Sequence, residues 1–459
     1  MPSTRSVPIA PGRLPLLGHG LQLRQRPLEF LSSVQQLGSI VEIRLGPMPA
    51  YFVSDAALVE RILVTDAGSF NKGVFFEKLR ALMGLGLLTM DGEAHRSRRR
   101  LVQPAFHRAR IVGYAQTLAR VTEDRISQWP AGQVIDVDAE VKRLALDIVA
   151  STLFAAEFGG EAIAEMQRCI PFVMEEVARR AVAPSDLLEK LPTKTNRRFN
   201  ADTAQLRTVI GNVIAAQRAS GVDQGDILSM LLAARDEQTG ETMTDDEICD
   251  EIVTIVVAAF EATSAMLAWI FHELAAHPDI ERQVRAETDR VLGDRPIEFD
   301  DIPQLDYMRR FITEILRLYG PWQVMRGAMT SVELGGVHIE EGTQIIFSPY
   351  LLHRDPQFFP DPERLDPDRW LSDRAKDIPR RALIPFGAGN RQCAGDRFAW
   401  AEMITILATA VRHWHLRPDP SYRVRMEVAT VVRPSSVPMI PEPRVPAAVR
   451  RPSSSGHLV

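Results

Sequence analysis

The chain has only three cysteines in 459 residues, Cys169, Cys249 and Cys393. An odd, widely spaced set is a poor disulfide framework and fits a reducing compartment. No two of them have the spacing of a zinc site. A basic excess is also missing. The net charge is −5, with both signs mixed along the chain, which argues against bulk nucleic-acid binding. The stretch Met1 to Gly20 has neither the basic start and apolar core of a signal peptide nor the long apolar run of a membrane anchor. The expected location is therefore cytoplasmic, with no membrane association. No internal repeat is present, and no composition break marks a domain boundary at the roughly 150-residue intervals that length alone would favour.

What remains is an ordinary globular composition, 45% hydrophobic and 25% charged, in a chain long enough to enclose a bulky cofactor. Residues 1–15 read as an extended arm. Short β signals follow at Ile40–Leu45 and Ala50–Val53. From about Ala94 to Tyr319 the apolar spacing is helical. Hairpin-like β segments return near Val332–Ile346, a loop dense in Pro, Asp and Arg spans His353–Pro385, and an apolar helix runs through Phe398–Val411. Residues 444–459 are rich in Pro, Ser and Arg and are expected to be a disordered tail behind a single domain covering 1–443. The fold class is mainly α with small β-sheets.

Ile252 to Phe271 is apolar almost without break and long enough to cross a bilayer. Glu261 in its middle would be costly in lipid. The segment reads instead as a central helix, apolar all round because it is buried. Thr244-Asp245-Asp246-Glu247 has the form of a capping box at its start.

The strongest local signal is Phe386-Gly387-Ala388-Gly389-Asn390-Arg391-Gln392-Cys393-Ala394-Gly395. Gly387 and Gly389 permit a tight turn and close backbone approach, and Gly395 leaves room just after the sulfur. A helix follows, whose N-terminal N–H groups and dipole favour a thiolate at Cys393. Arg391 offers a cation to a carboxylate. For an isolated cysteine, a buried core role is the commoner outcome. Here all ten residues resemble the haem-binding loop of the cytochrome P450 family, Phe-x-x-Gly-x-Arg-x-Cys-x-Gly. The resemblance implies the triangular, mainly α P450 fold, with haem b between the central helix and the cysteine loop. It makes Cys393 the axial iron ligand, Phe386 and Gly395 cofactor-contacting residues, and Arg391 a propionate partner. Thiolate ligation of haem iron favours O–O cleavage.

Further stretches match the family in order. Glu314 and Arg317 stand three apart on one helix face. In relatives such a pair is buried and closed by a later arginine, here Arg369. This structural cluster would shape the haem face behind Cys393. His95 and Arg99, four apart, match a propionate-binding pair, and Arg326 matches another propionate arginine. Arg96, Arg98 and Arg100 read as an exposed charged face, and His353 as structural. Within the central helix, Ala258-Ala259-Phe260-Glu261-Ala262-Thr263-Ser264 resembles the oxygen-binding motif. Glu261 supplies the acid and Ala259 replaces a glycine. Ala262 departs from the pattern, because most members place there a threonine that assists proton delivery. Thr263 is displaced about 100° around the helix. Glu261, water, Ser264 or a substrate hydroxyl would then supply protons.

The expected substrate pocket comprises Phe75, Phe76, Leu82, Leu88, Ile255, Ala258, Ala259, Val324 and Met325. It is apolar and suits a bulky lipophilic molecule. Leu14–Gly20, Asn196–Asn200 and Ile346–Tyr350 are similar to actinobacterial P450s that act on sesquiterpenes. The expected activity is insertion of one oxygen atom from O₂ into a terpenoid of secondary metabolism, with a macrolide or other polyketide next in order. Electrons would come from NAD(P)H through a ferredoxin and its reductase to a monomeric enzyme. A haem-binding sensor and a non-redox enzyme on the same fold stay open as alternatives.

Overall fold

A computed structural model describes residues 7–154, 156–181, 189 and 191–444. The largest of the four sheets among them is five-stranded. The strands are β1 (Ile40–Leu45), β2 (Met48–Val53), β3 (Phe70–Asn71), β4 (Val324–Ala328) and β5 (Gln344–Phe347), in the order β1-β2-β5-β4-β3. Only β2 and β5 run parallel, with Phe52 opposite Ile346; the other pairs are antiparallel.

Alternation along the strands feeds two cores, because successive side chains leave a strand on opposite faces. Val41, Ile43, Ala50, Phe52 and Ile346 join the main helical core. Ile40, Val53, Ile345 and Phe347 join a smaller one with Ile62, Leu63 and Ile384. β4 was missed by the sequence reading. Its residues, Val-Met-Arg-Gly-Ala, carry a weak strand signal.

The principal helices are α1 (Val74–Met83), α2 (Gly92–Val102), α3 (Arg108–Ile126), α4 (Val137–Leu153), α5 (Ala156–Ala181), α6 (Lys194–Ser220), α7 (Asp245–Ala276), α8 (Pro278–Leu292), α9 (Asp306–Tyr319) and α10 (Asp396–His413). Helix α7 packs on α4, α6, α9 and α10. Burial on most sides explains its uniform apolarity, and it is the one described helix apolar and long enough to span a membrane. Its start is the expected capping box: Glu247 N–H donates to Thr244 Oγ1 at 3.3 Å, and Thr244 N–H donates to Glu247 Oε2 at 2.8 Å. Helices precede the expected region, with shorter ones at Gly20–Gln25, Pro27–Gln35 and Ala56–Glu60 ahead of α1, and α10 extends two residues beyond each end of the predicted segment.

Of the expected tail, residues 445–459 lie outside the described residues. Arg444 itself is fixed: its guanidinium donates to Val411 O at 2.6 Å and to Asp289 at 2.8 Å.

Candidate active site

The centre of α7 breaks its own burial pattern. Ala258 and Ala262 are exposed, and Ile255 and Ala259 are partly so, while most of the helix is enclosed. Positions 255, 258, 259 and 262 follow the i, i+3, i+4, i+7 spacing of a single face. A small-residue stripe left bare on an otherwise enclosed helix opens onto internal space. Thr263 and Ser264 point elsewhere. Both are buried, and Ser264 Oγ lies 3.4 Å from Glu261 O. Helix α7 is α-helical throughout, with no bulge to rotate Thr263 into the position of Ala262. Thr263 is displaced from the stripe as the helix period implies, and Ser264, a candidate proton source, turns its hydroxyl to the Glu261 carbonyl.

Glu261 flanks the stripe and is held from outside the helix. Its Oε1 accepts from Thr430 Oγ1 at 2.8 Å and lies 3.6 Å from Arg433 Nη1. Arg433 in turn donates to the buried Asp138 at 3.0 Å. Thr430 belongs to a hairpin tip whose Ala429 carbonyl accepts from Trp322 Nε1 at 2.9 Å. The sequence reading missed Thr430, since a lone threonine far along the chain carries no local signal.

Cys393 is exposed at its surface while dense protein surrounds it at longer range, as expected of a side chain lining a recess. Its backbone N–H donates to Phe386 O at 2.9 Å, which closes the loop. Both glycine turns are real. Gly387 and Gly389 have φ of +71° and +69°, and a Cβ at Gly389 would stand 2.1 Å from Leu63 O. Gly395 is different. A Cβ there would meet the Phe106 ring at 3.7 Å, an ordinary contact, so its contribution is its N–H rather than its bareness. Desolvation raises the Cys393 pKa; the Gly395 N–H and the Arg99 charge pull it back. Burial thus outweighs the expected helix-terminal stabilisation of the thiolate, and a bound metal cation is what would deprotonate the sulfur.

Beside the loop lies a surplus of buried positive charge. Arg326 donates to Met325 O at 2.7 Å, and burial, then Arg391, lowers its pKa to about 10. Lys72 Nζ donates to Leu87 O at 2.8 Å and Leu88 O at 2.7 Å, and burial lowers it to about 7. His95 is buried and held neutral, its pKa lowered to about 3 first by desolvation and then by neighbouring cations. Arg391 pairs with Asp91 at 2.7 Å. Asp91, with Glu251 also acting on Lys72, leaves Lys72, Arg326 and Arg391 in excess, and that imbalance suits a bound anion. Arg99 is committed differently: Nη1 donates to Asn390 O at 3.1 Å and Gln392 O at 2.7 Å, which braces the cysteine loop. Arg98 corrects the expected exposed face. It is buried and pairs with Glu247 and, at 3.3 Å, with the enclosed Glu251.

Behind the loop, Glu314 and Arg317 are fully enclosed and bonded through two 2.8 Å contacts. Arg369 stands 3.4 Å from the same carboxylate, as expected, and Trp370 Nε1 adds an unforeseen bond at 2.9 Å. Arg317 also donates to the carbonyls of His353, Pro362 and Arg364. His353 is structural: fully buried and neutral, it accepts from Ile384 N–H at 2.9 Å, just ahead of the cysteine loop.

Among the expected pocket residues, Phe75 and Phe76 meet edge-on at 5.4 Å, and both, with Leu88 and Val324, are partly exposed. Met325 is nearly enclosed. Leu82 is core: with Leu79 and Met83 it forms the inward face of α1.

Comparison with known proteins gives these features a common frame. The family model for Cytochrome P450 matches residues 8–441. Cyclooctat-9-en-7-ol 5-monooxygenase of Streptomyces melanosporofaciens is 43% identical over 95% of this chain and 95% of the relative. Pentalenene oxygenase of Streptomyces avermitilis is 37% identical over 93% and 95%. The crystal structure of the cytochrome P450DA heme domain superposes with a TM-score of 0.87 at 26% identity, covering 96% of this chain and 98% of that one. The α7 stripe and the Cys393 loop are the two walls between which this fold holds haem b, and the buried cations suit a cofactor that carries two carboxylates. The chain belongs to the cytochrome P450 family of haem-dependent monooxygenases.

Proposed function

We propose that this protein inserts one oxygen atom into a terpenoid, with Cys393 as iron ligand and His95, Arg326 and Arg391 as the groups facing the propionates. Lys72, buried beside Arg326 and Arg391, spends two of its three N–H donors on Leu87 O and Leu88 O and keeps one for a propionate. When bound, thiolate-ligated haem supplies oxygen activation with electrons drawn from a redox partner. The observation that carries the substrate reading is the α7 stripe. Ala258, Ala259 and Ala262 leave room beside an apolar lining of Ile255, Phe75 and Phe76, a shape for a bulky hydrocarbon skeleton. Relatives whose names carry cyclooctatenol and pentalenene fit the same class.

The chain's own groups exclude water and manage protons. Glu261, fixed by Thr430, is the acid nearest the stripe, and Ala262 contributes no hydroxyl. On this reading Ala262→Thr leaves the product formed per reduced cofactor unchanged, whereas Glu261→Gln slows turnover by about 10²-fold. A gain in coupling from the threonine would move the limiting proton supply to position 262.

The electron donor would be an acidic ferredoxin. Exposed Arg397, four residues past Cys393, offers it a cation, and Arg96, paired with Glu93 on the helix whose Arg99 braces the cysteine loop, would exchange that partner for the donor's acids. A panel of terpenes, macrolides and fatty acids, screened for a ligand-induced Soret shift and then for turnover with surrogate ferredoxin and reductase, tests the assignment. Cyclic terpenes are expected to shift the band and to be hydroxylated. A shift without product would favour a sensor, and a macrolide-only response would overturn the substrate class.

A further inference from the structure

Near the N-terminus a strained backbone projects apolar side chains into water. Leu14 and Gly18 exchange backbone hydrogen bonds of 2.8 and 2.9 Å across a tight turn, and Leu17 N–H donates to Pro15 O at 2.7 Å. At the tip, Leu16 has φ +61° and is 89% exposed. Left-handed backbone is disfavoured for a branched side chain, and such strain persists only where surrounding structure enforces it. Here it is enforced. Gly18 lies so close to β1 that a Cβ would stand 2.4 Å from Arg44 O. The next residue, His19, is fully buried and bridges Ala10 O at 3.1 Å and Arg44 N–H at 2.8 Å. The turn is nailed to the sheet at its base and cannot fold its leucines inward.

Ile9, Leu14, Leu17 and Leu21 are exposed alongside Leu16. The adjoining β1–β2 turn adds exposed Pro47 and Pro49, and Gly18 pairs with Leu45 at its edge. The charge around this patch is mainly basic, with exposed Glu29 in the following helix as the nearest free acid along the chain. Residues 1–28 contain no aspartate or glutamate, while Arg13, Arg24 and Arg26 are exposed. Glu42, the nearby strand acid, is tied to Arg44 at 2.6 Å.

We propose that this leucine turn docks the protein reversibly on an anionic lipid bilayer. Leucines that enter the acyl boundary beside arginines that meet anionic headgroups form an interfacial anchor. A second copy of the chain fits poorly, since an isologous contact would set two basic rims together. A specific protein partner would need polar groups to read, and the turn's backbone already spends its own hydrogen bonds internally. The inference is independent of the substrate class.

The test is co-flotation of the full-length, haem-loaded protein with vesicles of phosphatidylcholine alone or of an equimolar mixture with phosphatidylglycerol. Binding is expected to the anionic vesicles and not to the neutral ones, and to weaken with added salt. Leu16→Ser combined with Leu17→Ser should lower the bound fraction about tenfold, as should Arg13→Gln with Arg24→Gln. An unchanged carbon monoxide spectrum certifies that each variant is folded. Absence of wild-type binding, or equal binding by the leucine variant, overturns the proposal. So does gel filtration showing a wild-type dimer that the leucine variant dissolves, since that would make the patch a contact between copies.

Discussion

Replacing Glu314 by alanine is expected to destabilise the protein by about 3–5 kcal/mol, the cost of leaving a buried charge without its partner. Here the stranded cations are two, Arg317 and Arg369, both buried beside the lost carboxylate. The same oxygens also accept from Trp370 Nε1 and from the Asp366 N–H. Arg317 organises the loop that follows, through the carbonyls of His353, Pro362 and Arg364, and His353 receives Ile384 just ahead of Phe386. Damage at Glu314 therefore reaches Ile384, at the entry to the cysteine loop, through three short links. Denaturant titration of the wild type and variant, with haem content measured alongside, should show a lower midpoint and poor cofactor retention. A variant of wild-type stability that still holds haem would mean the cluster is dispensable.

Cys393→Ser should have the opposite character: a folded protein with altered chemistry. The side chain lines a recess and packs against little, so its loss opens no cavity in the core. The reduced, carbon monoxide-treated variant should lose the long-wavelength absorption of thiolate-ligated haem, while the haem-free forms of variant and wild type melt at nearly the same temperature. Cys169→Ser and Cys249→Ser make informative controls. Both thiols are buried, and desolvation raises their pKa values to about 12 and about 11, so neither can stand in as a thiolate. Persistence of the long-wavelength band in Cys393→Ser would remove the ligand assignment.

What could be read from the chain depended on whether a residue's neighbours lay close in sequence. The cysteine loop is contiguous, and its turns at Gly387 and Gly389 follow from composition alone. Glu314 and Arg317 are one helical turn apart, and the Thr244 cap spans four residues. The misses are pairings that only folding creates. Arg98 looked like surface until α7 brought Glu247 and Glu251 to it. Lys72 gained its meaning from Leu87, Leu88 and two distant arginines. Thr430 reaches Glu261 across 169 positions of sequence. Leu82 and Leu88 are equally apolar on paper, yet Leu82 falls on the inward face of α1 while Leu88, in the loop beyond that helix, is left partly open. The expected thiolate was decided by magnitude: helix-end polarity was anticipated, but the stronger effect of burial depends on the depth of the recess.

The 2.1 Å that would separate a Gly389 Cβ from Leu63 O means that the ligand loop and the smaller core touch backbone to backbone. Ala388 packs on that core as well. Contacts of this kind have no slack, so a local fluctuation that opens the small core also releases the sulfur's support, and the two behave as one cooperative unit. The coupling also runs in reverse. Whatever iron contributes by gripping the thiolate is shared, by linkage, with an apolar cluster on the opposite face of the sheet from the helical core.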